Sequence, residues 1–171
     1  MLLKQQIEKY LNEKPSLSTQ ELAKQLDKAE GEIILVLPEN MLSIIDGSYS
    51  EQILNELPQW GQVTTIIEKA GSIFEIKETF PIGKSAYGYY NLNLGQESQG
   101  VFYGHLKLDQ VKYIALVSKP LRGKATHAII FISEQKQVIF KIYLGRNEQG
   151  EIFPDQLERF KQLTQFISHS Q

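Results

Sequence analysis

Residues 111–144 read VKYIALVSKPLRGKATHAIIFISEQKQVIFKIYL, and this stretch decides the fold. Three runs rich in β-branched and aromatic residues, 111–119, 126–133 and 138–144, are separated by Arg122-Gly123 and by the polar stretch 134–137. Such runs bounded by turn residues are strands. Neither gap can hold the crossover helix that a parallel pair requires, so the strands are expected to run antiparallel. Upstream, a period of two marks further strands at 63–69, 72–78, 87–94 and 101–108. Ala70-Gly71, Pro81-Ile82-Gly83 and the polar stretch 95–100 punctuate them as turns.

Helices flank this β region. Leu3, Ile7, Tyr10 and Leu11 share one helical face. Ser18 followed by Glu21 forms a capping box that opens a second helix, which buries Leu22, Ala23 and Leu26. A third apolar run, 33–37, ends at Pro38. Residues 38–61 read as mixed, with a short helix near 51–57. The last helix is expected over 154–168, with Pro154 in its first turn and Leu157, Phe160, Leu163 and Ile167 as its apolar stripe. The expected class is α+β: a large antiparallel sheet of about seven or more strands with helices on one face. A single domain is expected over 1–171, made of a helical segment 1–37, a sheet 60–145 and a terminal helix 154–168.

Composition narrows the chemistry. The chain has no cysteine, which excludes disulfides, thiolate metal sites and cysteine nucleophiles. The formal net charge is −2, so the molecule as a whole exerts no pull on nucleic acid or anionic membrane. No continuous apolar stretch follows the N-terminal residues, and the expectation is a cytoplasmic protein without membrane insertion.

Alternation in 101–108 places Phe102, Gly104, Leu106 and Leu108 toward the core and Val101, Tyr103, His105 and Lys107 on the opposite face. In the last strand the same rule sends Ile139, Lys141 and Tyr143 outward. That outward face is too apolar for a purely solvated sheet and needs a cover. Two covers fit: the same face of a second subunit, or a flat amphipathic ligand. Haem is such a ligand, with an apolar plane, an iron that takes imidazole and propionates that take cations. On residue types alone a strand histidine is more often a satisfied core or interface residue than a ligand, and both readings stay open at this point.

Several stretches together carry a resemblance. They are Trp60-Gly61-Gln62-Val63-Thr64-Thr65, Phe74-Glu75, Gly88-Tyr89-Tyr90-Asn91-Leu92, Gly104-His105-Leu106, Ile114-Ala115-Leu116-Val117, and residues Phe140 through Arg146. In order and spacing they are similar to the cytosolic haem-utilisation carrier proteins of the HutX, HuvX and ChuX type. The resemblance implies a homodimer that accepts imported haem as cargo and transfers it to a recipient protein. It also implies that His105 is the axial ligand of the haem iron. Where some members carry a second haem-associated histidine, this chain has Glu68, which is expected to face water, orient an imidazole or hold an iron-bound water. Tyr103 and Lys107 share the face of His105, and His127 is either a packed histidine or a second haem contact. Arg122 and Arg146 are candidate propionate partners.

Two other functions compete. A haem-degrading enzyme would need proton-delivering groups around an open iron position, and no acid–base constellation assembles from the sequence. Haem transfer without catalysis is therefore expected. A helix-turn-helix regulator would use 29–37 to read DNA, yet that segment carries Glu30 and Glu32 and no base, so phosphates would repel it.

Overall fold

A computed structural model describes residues 1–94 and 100–170, with side chains described through Gln165. Part of the expected turn at 95–100 and the side chain of Ile167 therefore lie outside the described residues. Helices α1 (Leu3–Glu13), α2 (Thr19–Leu26) and α3 (Glu30–Ile34) come first, followed by β1 (Leu42–Asp46) and α4 (Ser50–Glu56). Strands β2 (Gln62–Lys69), β3 (Ser72–Thr79), β4 (Gly83–Ala86), β5 (Tyr89–Leu92) and β6 (Gly104–Leu106) follow. The chain then forms β7 (Val111–Leu121), β8 (Lys124–Ser133), β9 (Val138–Tyr143) and α5 (Pro154–Ser170).

The strands divide into two antiparallel sheets. A six-stranded sheet has the order β1-β7-β8-β9-β2-β3, and a three-stranded sheet has the order β4-β5-β6. This is the expected α+β class with its large antiparallel sheet. The division itself, and strands β1 and β4, were not expected. β4 reads Gly-Lys-Ser-Ala and contains no β-branched or aromatic residue, so its strand character comes from backbone pairing with β5 rather than from propensity. Tyr87, read above as part of a strand, lies instead in a two-residue hairpin turn with Gly88. Their φ values of 58° and 80° are those of a type I′ turn, whose twist matches the flanking strands. Ala70-Gly71 and Arg122-Gly123 close the β2–β3 and β7–β8 hairpins with the same geometry.

The helices occupy both faces of the large sheet, which corrects the expectation of one. Ile114, Leu116, Ile129, Phe131, Phe140 and Ile142 face one core, together with α4, Trp60 and Phe160 of α5. Ala115, Val117, Ala128, Ile130 and Ile132 face the other, which α1, α2 and α3 cover with Ile7, Leu11, Leu22, Ile33 and Ile34. The second face of the large sheet, Tyr143 of β9 included, thus finds its cover within the same chain, whereas the row of His105 on the small sheet stays exposed. Burying both faces of β7 and β8 also explains their near-continuous apolar runs. Ile33 and Ile34 are fully buried, so the helix that a DNA-reading motif would present to the duplex is part of a core. A bulge between Phe131 and Ile132 pairs Phe140 with Phe131 and Val138 with Ile132. The extra residue reverses the parity, sending Ile139 to the first core and Val138 to the second, opposite to strict alternation.

Candidate functional site: the exposed row of the small sheet and the cleft under the helices

Burial alternates along residues 101–109: Val101, Tyr103, His105, Lys107 and Asp109 are exposed, while Phe102, Gly104, Leu106 and Leu108 are half-buried. Only three of these residues form strand β6, but the parity read from the sequence holds across the whole segment. β6 pairs with β5, which sets His105 opposite Asn91. Asn91 is 4% exposed. The His105 Nδ1 lies 2.6 Å from the Asn91 Oδ1. The Tyr89 ring meets the imidazole edge to face at a centroid distance of 6.0 Å. Lys107 places its Nζ 5.1 Å from the centre of the Tyr89 ring, donates to the Gly88 carbonyl at 3.3 Å, and pairs with Asp109 at 3.5 Å. Tyr103, 58% exposed, stands on the same row. His105, Tyr103 and Lys107 are thus brought together, with Tyr89 and Asn91 as additions the sequence reading did not name as site residues. The signal for Asn91 was a lone amide in the otherwise apolar stretch Tyr89-Tyr90-Asn91-Leu92.

Tyr90, the neighbouring phenol, is withdrawn from this surface. Its hydroxyl donates to the Asn55 Oδ1 at 2.6 Å, and burial, helped by the charge of Glu51, pushes its pKa up to about 12.

Glu68, Arg122 and Arg146 lie toward the other face of the large sheet, while the ring of His127 turns to the face that carries α5. A cleft of about 630 Å³ opens between α2, α3 and the ends of β2, β3, β8 and β9. Ile66, Ile73, Ala128 and Ile130 supply apolar lining, and Lys77, Lys119, Arg122, Lys124 and Arg146 supply positive charge. Arg146 donates to the carbonyls of Gly150, at 2.9 Å, and Ala125, so its fork is partly spent on the backbone. Lys119 is 7% exposed and donates to the Pro15 and Pro120 carbonyls at 3.0 and 3.2 Å. Desolvation lowers its pKa, against the opposing attraction of Glu21. Glu68 stands at the exposed end of β2, where it accepts from Gln20 of α2, and it belongs to a different sheet from His105. Among the described residues, no group of three or more His, Cys, Asp and Glu side chains could hold a bare metal ion. No described helix is long and apolar enough to cross a membrane.

His127 also lines this cleft. Its Nδ1 lies 2.8 Å from the Ser118 Oγ, and its ring packs 5.3 Å from that of Phe160. Burial, then the charges of Lys161 and Arg146, lower the imidazole pKa from its ordinary value. The folded state therefore favours the neutral ring, while the unfolded chain takes up a proton as pH falls through about 6.5. Stability should decline as pH drops below that value. Urea midpoints measured from about pH 7.5 to about pH 5 should fall for the native chain and fall less for His127→Gln. Identical slopes would show that the fold does not hold His127 neutral.

Comparison with known proteins gives this geometry a context. Residues 43–163, from β1 to α5, match the haem-utilisation ChuX/HutX family. Over 163 residues the chain is 47% identical to the intracellular heme transport protein HutX of Vibrio cholerae serotype O1, covering 95% of this chain and 83% of that protein. It superposes on the heme binding protein ChuX with a TM-score of 0.82 at 25% identity, covering 95% of this chain and 99% of that one. It also superposes, with a TM-score of 0.68 at 13% identity, on the Escherichia coli O157:H7 heme degrading enzyme ChuS, covering 82% of this chain and 41% of that one. This last likeness is one of fold alone. With the match running through both sheets and the closing helix, and with nearly half of the residues shared with HutX, the chain belongs to the ChuX/HutX haem-utilisation family.

Proposed function

We propose that this protein is a haem carrier of the cytoplasm, a homodimer that takes up haem as cargo, holds its iron through the Nε2 of His105, and yields it to a recipient protein. The observation that carries the reading is the exposed His105 ring, tied by its Nδ1 to a buried amide so that the other nitrogen is left for a ligand. A metal-bound histidine ordinarily has such a partner on its second nitrogen. Tyr103 and Lys107 supply an aromatic face and a cation on the same row, the counterparts of a porphyrin plane and a propionate. One axial ligand on an open surface suits transfer, since differences in affinity between related complexes lie mainly in the off-rate. Transport is preferred to degradation because the relative at 47% identity is named for transport, whereas the degrading enzyme shares only the fold.

Exposed apolar side chains favour the dimer: Tyr87 is 93% exposed, Val101 80% and Ile82 71%. The helical segment and sheet are proposed to form one unit over 1–171, because α1–α3 share a core with β7 and β8.

A second reading seats haem in the cleft, where the volume, the apolar lining and the cationic rim also fit and where Glu68, Arg146 and His127 lie in or beside the opening. Haemin titration followed by absorbance separates the two. His105→Ala should weaken binding by about 100-fold and displace the Soret band, while His127→Ala should stay within about threefold of the native chain. The reverse pattern would move the site to the cleft.

A further inference from the structure

The hydrogen bonds of Asn91 leave its amide only one orientation. The Nδ2 lies 3.1 Å from the Lys84 carbonyl, 3.0 Å from that of Ala86 and 3.2 Å from that of Tyr89. All three are acceptors, so the group facing them must be the NH2 and not the oxygen. The Oδ1 is therefore the atom that meets the His105 ring. An amide oxygen accepts and cannot donate, so the neutral imidazole must carry its proton on Nδ1, and its Nε2 keeps the lone pair. The register of β5 with β6 fixes both partners, and the burial of Asn91 keeps water from competing for the bond.

We propose that Asn91 is a positioning residue: it locks His105 in the Nδ1–H tautomer and thereby sets how strongly Nε2 binds the haem iron. The inference rests on the haem reading above, and adds a reason why the partner is an amide. A carboxylate in the same place would draw the Nδ1 proton more strongly, make the ring a better donor and stabilise ferric over ferrous iron. The neutral amide fixes the tautomer with less polarisation, which keeps the bond to the cargo weak enough to be surrendered.

The test has one arm without haem and one with it. In the native apo-protein at mildly alkaline pH, long-range 1H–15N correlation of the His105 ring should show a protonated Nδ1 and a bare Nε2. A predominant Nε2–H tautomer, or an even mixture, overturns the proposal whatever haem does. In the haem arm, Asn91→Leu should weaken haemin binding by about 10-fold or more. A native haemin affinity in Asn91→Leu, with native folding by circular dichroism, also overturns it. If Asn91→Leu fails to fold, the native-chain spectrum still decides. Native haem binding by His105→Ala would instead defeat the haem reading of this row. A wrong tautomer together with His105-dependent binding would defeat only the role given to Asn91.

Discussion

Glu30→Ala should lower the unfolding free energy by about 3–5 kcal/mol, the cost of leaving a buried charge without its partner. The Lys141 Nζ lies 2.7 Å from the Glu30 Oε2, with the two side chains 7% and 13% exposed. The same oxygen accepts from the Thr19 Oγ1 at 2.7 Å, so the carboxylate joins α2, α3 and β9. Removing it strands an ammonium beneath the helices, and a loss of that size is a large part of the roughly 5–15 kcal/mol that typically holds a domain together. The stabilisation lies in the match and not in the charges. A well-packed apolar replacement of a buried pair is often neutral or better, so Glu30→Ala combined with Lys141→Met should recover most of the loss. Urea denaturation of the native chain and both variants checks this. A double variant no more stable than Glu30→Ala would place the cost elsewhere than in the orphaned lysine.

Gly145→Ala should be at least as damaging, costing more than about 4 kcal/mol and leaving a chain that is mostly insoluble or unfolded on expression. A β-carbon at Gly145 would stand 1.9 Å from the Gln62 carbonyl oxygen and 3.1 Å from the Phe153 ring. The nearest obstacle is backbone, which no rotamer change can clear. The position is also a junction. Gly145 donates to the Gln156 Oε1 at 2.7 Å, and the buried Gln156 donates in turn to the carbonyls of Trp60 and Gln62 at 2.9 and 2.7 Å. One side chain of α5 thus joins the end of β9 to the start of β2, and separating these backbones would leave several buried polar groups unpaired. A soluble Gly145→Ala protein with a native urea midpoint would show that the two backbones do not approach so closely.

The parts of this architecture legible in the sequence are those set by neighbours along the chain. The Ser18–Glu21 capping box, the Ala70-Gly71 and Arg122-Gly123 turns and the in–out alternation around His105 depend on residues a few positions apart, and each appears in the structure. What escaped depends on distant partners. β4 has no propensity of its own and exists because β5 lies beside it. Alternation predicts a side chain's face only until one residue is inserted, and the bulge between Phe131 and Ile132 undid it for Val138 and Ile139. The cover for the second face of the sheet lay in α1–α3, many residues upstream, and no local pattern could assign it. Among the candidate residues, parity placed His105, Tyr103 and Lys107 on one surface. Parity was silent about the buried amide behind the imidazole, because the pairing of β5 with β6 spans the intervening loop. It was silent too about the separation of Glu68 from His105, because both residues read as belonging to one sheet.

The division into two sheets carries a kinetic consequence. No ladder hydrogen bond joins β4, β5 and β6 to the six-stranded sheet; side chains such as Tyr90 and Leu92 anchor them in the shared core instead. Short ladders of this kind sit at the low end of the range of local opening energies, while long central strands approach the global value. The small sheet is therefore expected to open while β7, β8 and β9 stay closed, and a ligand held on its outer row, as proposed above, would leave at the pace of that opening and not of global unfolding.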